Sequence, residues 1–204
     1  MLSLKNNITT DGLYYRDSEI ECYNNGCLFL YVRATNQRRT LSYNGFFINR
    51  IANYVIFTPK EMGFILLAYD IFTENTISIT DCDTRWCVVR SDRYVYYTKG
   101  EANYLYEFDI KLWKERCLLS HSCNYLAVNG NILYFSDWSN KQYLCSLNLD
   151  IYFYNVIVSL DVAWINIVDE YNLLFRCWHN RKTYLFNLQT NDLSLLNVDS
   201  ANYI

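Results

Sequence analysis

Tyr125-Leu126-Ala127-Val128-Asn129-Gly130-Asn131-Ile132-Leu133-Tyr134-Phe135-Ser136-Asp137-Trp138-Ser139-Asn140-Lys141-Gln142-Tyr143-Leu144-Cys145-Ser146-Leu147-Asn148 holds three short apolar runs separated by polar turns. Gly and Asn tolerate positive φ, so Asn129-Gly130-Asn131 predicts a hairpin turn between the first two runs. The runs are rich in aromatic and aliphatic residues that fit a pleated, half-buried surface, which predicts strands. No segment of the chain carries a sustained 3.6-residue apolar stripe with caps, so helices are at most incidental.

The same pattern recurs outward from this stretch. An aromatic stands at Phe47, Trp86, Tyr125, Trp164 and Tyr203, each step being 39 residues. A second run follows each anchor, as in Tyr54–Phe57, Tyr94–Tyr97, Ile132–Phe135 and Asn172–Phe175, and Leu13–Tyr15 is read as the copy in the first unit. The third runs are Ile65–Asp70, Tyr104–Asp109, Tyr143–Asn148 and Tyr184–Gln189, with Leu28–Arg33 a weaker copy. Shorter fourth runs close the units at Arg39–Ser42, Thr76–Thr80, Arg116–Ser120, Asn155–Ser159 and Leu193–Val198. Thr73-Glu74-Asn75 and Thr190-Asn191-Asp192 mark turns between third and fourth runs.

Four short runs in about 39 residues predict a four-stranded antiparallel sheet as the repeating unit. One such sheet cannot bury both faces by itself, so the units must stack. Closing the stack into a ring removes most exposed edges. The expectation is therefore an all-β fold: a five-bladed β-propeller of four-stranded antiparallel blades, a single domain over residues 1–204, closed by pairing of the two termini. Either Tyr203-Ile204 or Leu2–Leu4 is expected to supply the innermost strand of the first blade.

Tyr134-Phe135-Ser136-Asp137-Trp138-Ser139-Asn140 followed by Tyr143–Asp150 resembles the Tyr-Trp-Thr-Asp repeat of low-density-lipoprotein-receptor-type propellers. Tyr96-Tyr97-Thr98-Lys99, Ile56-Phe57-Thr58-Pro59 and Tyr14-Tyr15-Arg16-Asp17 are looser versions. The chain is also similar to bacterial repeat domains with Tyr-Tyr-Ser elements. The resemblance implies the fold and transfers no binding site. Receptor propellers of that type have six blades and are exported, whereas this sequence shows five units and no export signal.

Composition narrows the function classes. The chain has 204 residues, 51% of them hydrophobic, with 20 Tyr, 11 Phe, 5 Trp and a single Pro, which excludes disordered and linker-like classes. The net charge is −3 and the longest basic clusters are dipeptides, Arg38-Arg39 and Arg181-Lys182. No basic stripe is present, so nucleic acid is not expected as a partner. No apolar run approaches a membrane span, and the N-terminal stretch lacks an apolar export segment, so a cytoplasmic location is expected. The eight cysteines include no Cys-x-x-Cys pair, and they fall at non-equivalent places in the repeat. They are expected to be reduced thiols, mostly buried, rather than disulfides or metal ligands.

Candidate site residues lie in connections at one end of the repeats. The loops entering the first strands are expected at Tyr43–Phe46, Asp81–Arg85, Ser120–Asn124, Asp161–Ala163 and Asp199–Asn202. The segment Arg176-Cys177-Trp178-His179-Asn180-Arg181-Lys182 is the most chemically dense, and Trp and Arg are enriched at interface hot spots. Asp137-Trp138 is a second such place. Candidate contacts are Arg176, Trp178, His179, Arg181, Trp138, Asp137, Arg85 and His121. No catalytic or metal-binding set and no cofactor are implied. The histidines, His121 and His179, sit in different loops, and no Ser or Cys lies in a nucleophile elbow. The reading is a non-catalytic module that binds a protein partner. The alternative is a carbohydrate-binding propeller using the aromatic anchors. A third reading, a small glycoside hydrolase, would need Asp81, Asp83, Asp161 and Asp199 to converge.

Overall fold

The structure, a computed structural model, describes residues 14–196. All regular structure in these residues is antiparallel β, apart from one 3-10 turn at Lys60–Met62. The first sheet has the order β1 (Tyr14–Arg16), β2 (Ile20–Asn24), β3 (Leu28–Val32), β4 (Gln37–Ser42). The second has the order β5 (Gly45–Ile51), β6 (Tyr54–Pro59), β7 (Leu67–Asp70), β8 (Thr76–Ser78). Ten further strands follow in one hydrogen-bonded order: β9 (Thr84–Arg90), β10 (Tyr94–Lys99), β11 (Tyr104–Asp109), β12 (Lys114–Asn129), β13 (Ile132–Asp137), β14 (Tyr143–Asn148), β15 (Phe153–Ile167), β16 (Asn172–Cys177), β17 (Thr183–Asn187) and β18 (Leu193–Leu196). The described residues fall into two compact units that divide between Asn124 and Tyr125.

The ten-strand order arises because β12 and β15 are 16 and 15 residues long. The first part of β15 pairs with β14, as in Asn148 with Phe153, and its second part pairs with β16, as in Ile167 with Leu173. Ser120–Asn124 and Asp161–Ala163, expected as loops, therefore lie inside strands. Neither segment has a Gly or Pro to break the extended backbone, and pairing carries through them with register shifts at Leu105 and Leu144.

The first repeat also differs from expectation. Among the described residues, Tyr14-Tyr15-Arg16 is the first strand of its sheet rather than the second, and Ile20–Asn24 is the next. The Asp17 carboxylate causes this. Its Oδ1 accepts hydrogen bonds from Glu19 N and Ile20 N, at 2.7 and 2.8 Å, and turns the chain directly after β1. The expected candidates for the innermost strand, Tyr203-Ile204 and Leu2–Leu4, lie outside the described residues.

Why the second strands read as continuous apolar runs is clear from the core. Val55 and Phe57 on one face of β6 join Ile20, Leu28 and Leu30 of the first sheet. Ile56 on the other face joins Val95, Tyr97 and Phe108 of the next strands. Both faces are buried, so the alternation of a half-solvated strand is lost. In residues 125–196, Tyr134 and Leu144 likewise pack with Val162, Ile165, Leu173 and Phe175. Consecutive sheets are also tied by polar groups. Buried Asn49 on β5 donates from Nδ2 to Phe47 O at 2.9 Å and to Cys87 O on β9 at 3.2 Å. Gly45 begins β5 hard against the first sheet, where a Cβ would stand 2.6 Å from Leu28 Cδ2.

The 39-residue period is written in the backbone as well as in side chains. Left-handed residues recur after the first strands at Ala52, Ser91 and Gly130, and after the second strands at Phe64, Asn103, Gln142 and Arg181. They recur after the third strands at Glu74, Trp113, Tyr152 and Asn191. Within the first strands the aromatic anchors Phe47, Tyr125 and Trp164 have φ of 52, 55 and 68°. The pairing explains these last three in part: Phe46 faces Thr58 while Asn49 faces Ile56, and Ala163 faces Arg176 while Ile165 faces Phe175. Phe47 and Trp164 are thus bulge residues, and Trp86 sits in the equivalent irregularity of β9.

Four of the five turns into fourth strands, those into β8, β12, β15 and β18, share one device. Oδ1 of Asp70, Asp109, Asn148 and Asn187, again 39 residues apart, accepts the backbone N–H groups two and three residues ahead. A short side chain that substitutes for a backbone acceptor fixes each hairpin at this point.

Candidate functional site

The connections after β13 and β16 each carry an exposed Trp on a hydrogen-bonded turn. After β13, Asp137 Oδ1 accepts Ser139 N at 2.9 Å, and its carbonyl accepts Asn140 N and Gln142 N. Asp137 Oδ2 accepts the Tyr154 hydroxyl at 2.9 Å, and that hydroxyl lies 3.1 Å from Cys145 Sγ. Asp137 is therefore fully buried, and its expected role as a surface contact is corrected: the carboxylate holds the turn from inside. Burial pushes the neighbouring Cys145 thiol up to about 11, so it stays protonated and inert. Trp138, next in the chain, is turned outward and 44% exposed.

After β16, Cys177 N donates to Lys182 O and Lys182 N to Asn180 Oδ1, both at 2.9 Å. Asn180 Nδ2 donates to the Tyr184 hydroxyl at 2.9 Å, and Arg176 Nε donates to Arg181 O at 3.2 Å. Arg181 takes the left-handed position at φ 55°. Trp178 is 58% exposed, and Arg176, His179, Arg181 and Lys182 are exposed beside it.

Two residues of β15 brace both connections. Val162 N donates to Gln142 O, and Asp161 O accepts Trp178 N, each at 2.8 Å. Cys177 Sγ donates to Asp161 Oδ1 at 2.9 Å. Trp138 and Trp178 are thus carried on turns anchored to adjacent residues of one strand. Among the described residues, no carboxylate lies within ion-pair distance of Lys141, Arg176, Arg181 or Lys182.

Two cations before residue 125 are paired instead. Lys99, the last residue of β10, is held by Glu115 at 2.9 Å and Asp81 at 3.4 Å. Arg85 is exposed but pairs with Asp83 at 3.1 Å. His121 is half-buried inside β12, and its carbonyl accepts the Cys123 thiol at 3.4 Å. Arg85 and His121 belong to the unit that ends at Asn124, and the Trp138 and Trp178 turns to the other.

The aspartates needed for hydrolysis are otherwise engaged: Asp81 by Lys99, Asp83 by Arg85 and Asp161 by Cys177. Asp81 has its pKa lowered, by a backbone hydrogen bond and the Lys99 charge, whereas a general acid needs a raised one. Asp199 lies outside the described residues. The anchors Phe47 and Trp86 pack rather than stand free: their rings are 5.1 Å apart, and Trp86 Nε1 donates to Asn124 Oδ1 at 3.1 Å.

Lys141 is the site residue that the sequence reading missed. Its signal is a repeated tetrapeptide, Trp138-Ser139-Asn140-Lys141 and Trp178-His179-Asn180-Arg181, a Trp-x-Asn-cation unit present twice.

No protein-family pattern matches the chain, and no curated protein matches it. Solved structures do. A chain of the nidogen/laminin complex superposes with a TM-score of 0.63 at 11% identity, covering 86% of this chain and 74% of that one. The N-terminal domain of Nup159 gives 0.65 at 9% identity, covering 94% of this chain and 62% of that one. The tricorn protease gives 0.57 at 9% identity, covering 92% of this chain and 22% of that one. The chain thus spans less than two thirds of the latter two. The fold is of the β-propeller type. No helix among the described residues is long and apolar enough to cross a membrane.

Proposed function

We propose that this chain is one five-bladed β-propeller domain, closed through its two ends, that serves in the cytoplasm as a non-catalytic protein-interaction module. The strand order supports five blades. β12 and β15 each read as the outer strand of one blade running on into the inner strand of the next, which resolves the ten strands into three blades beside two separate four-stranded sheets. A reducing compartment suits eight free cysteines, five of them buried. The observation that carries the interaction reading is the braced pair of turns presenting Trp138 and Trp178 to solvent among uncompensated cations. Exposed tryptophan flanked by arginine is the composition of interface hot spots. The nidogen/laminin structure is itself a complex, which agrees with a binding role for this kind of fold.

The test is affinity capture from the native source with the parent chain and with a Trp178→Ala/Arg181→Ala variant. Both side chains are exposed, so the variant should melt within about 0.5 kcal/mol of the parent. It should lose about 2 kcal/mol or more of partner affinity. A variant that folds and captures the same partner equally well places the interface elsewhere.

A further inference from the structure

We infer that the partner segment received by the Trp138 and Trp178 turns is an acidic peptide carrying bulky apolar side chains between its carboxylates. This deepens the interaction reading and rests on it. Lys141, Arg176, Arg181 and Lys182 are exposed and have no carboxylate within ion-pair distance among the described residues. Residues 138–142 and 178–182 contain no acidic residue at all. Two carboxylates that hold these turns are already engaged: Asp137 is buried and accepts the Tyr154 hydroxyl, and Asp161 accepts the Cys177 thiol. Several other cations of the protein are neutralised. Arg93 is paired with Asp109, Arg50 with Asp17, and Lys99 with Glu115. A chain of net charge −3 that leaves four cations unpaired on two turns carrying exposed tryptophans presents a field suited to carboxylates.

The geometry favours a peptide over a phosphate polymer. The cations sit on two short turns rather than along a stripe, and the molecule's net negative charge opposes a long polyanion. The Trp-x-Asn-cation unit occurs twice, braced from adjacent residues of β15. Each copy offers an apolar plate next to a carboxylate-binding cation. The Arg181 guanidinium can form a two-pronged bond to a carboxylate, because its own carbonyl, not its side chain, holds the turn through Arg176. Two copies in one rigid frame favour an extended segment that alternates acidic and apolar residues.

Fluorescence anisotropy of the full chain with three labelled dodecapeptides tests this. The peptides share their Leu and Phe positions and carry Glu, Gln or Lys between them; an oligothymidylate of similar length is the fourth probe. The Glu peptide should bind, the Gln peptide should bind about tenfold or more weakly, and binding should weaken as salt is raised. A Lys141→Ala/Arg181→Ala variant with unchanged melting should bind the Glu peptide about tenfold or more weakly. Equal binding of the Glu and Gln peptides, parent-like binding by the variant, or tighter binding of the oligothymidylate overturns the acidic-peptide assignment. If the Glu peptide fails while the Trp178→Ala/Arg181→Ala variant still loses the native partner, the interaction reading stands and only the partner chemistry falls. If both fail, both are wrong.

Discussion

Phe64, Asn103, Gln142 and Arg181 have nothing in common as side chains, yet all four take the left-handed conformation at the same point of the repeat. Glycine would adopt it without strain, but the chain has only six. Each non-glycine residue there costs on the order of 1 kcal/mol, because Cβ crowds the following carbonyl oxygen. Ala52 and Ser91 are exposed, with φ of 49 and 58°. Replacing each by Gly should therefore raise stability by about 0.5–1 kcal/mol, read as a higher melting temperature. Trp113→Gly should do the reverse, since its ring packs 5.1 Å from Phe108 and 6.0 Å from Tyr54. If Ala52→Gly and Ser91→Gly both destabilise, the backbone is not strained at these turns. The aromatic anchor was legible in sequence because burial in a bulge keeps it large. The left-handed positions were not, because backbone angle at a solvated turn leaves no side-chain signature unless the residue is Gly or Asn.

Four hairpins into fourth strands are each set by one short side chain, which is Asp twice and Asn twice at equivalent places. Asn accepts the same backbone N–H groups as Asp, so Asp109→Asn should keep the turn and lose only the charge. Asp109 has its pKa lowered, first by the Arg93 hydrogen bonds at 2.8 and 2.6 Å. A depressed folded-state pKa gives stability that is present above the unfolded value, about 3.9, and is lost as pH falls through the folded value. The Asp109→Asn variant should thus be less stable than the parent at pH 7, and the gap should close in acid below that value. Denaturant titrations at the two pH values measure it, and a gap that persists in acid would mean the turn itself was damaged. At this scale the sequence misled in two ways. Asp17 turned the first repeat earlier than the apolar pattern announced, and β12 and β15 ran straight through segments whose polar residues suggested loops. The candidate site was half legible: Trp178 and Arg181 stood out by composition, but the bracing from Asp161 and Val162 is a tertiary contact that no local pattern carries. Asp137 looked like a surface group because its neighbour Trp138 is one, although successive residues leave a strand in opposite directions.

The whole chain repeats one unit with little drift in length, and its two compact units divide inside a strand, between Asn124 and Tyr125. If the ring closes through its ends, removing residues 200–204 should cost about 2 kcal/mol or more, because an apolar contact of the last anchor would be lost. A truncated chain that melts with the full one would refute closure by that segment. The continuity of β12 has a further consequence during synthesis. At Tyr43-Asn44 the growing chain finishes a sheet before the next begins, so the emerging piece has no half-made strand. At β12 this is impossible. Once Lys114–Ser122 has paired with β11, the remaining residues to Asn129 are extended but wait for β13 to leave the ribosome. For that interval the nascent protein carries a bare backbone edge that another chain can template, and the same exposure returns at β15. Pauses in translation would therefore be tolerated best when the chain has emerged as far as residue 42 and worst when it has emerged only to residues 123–131.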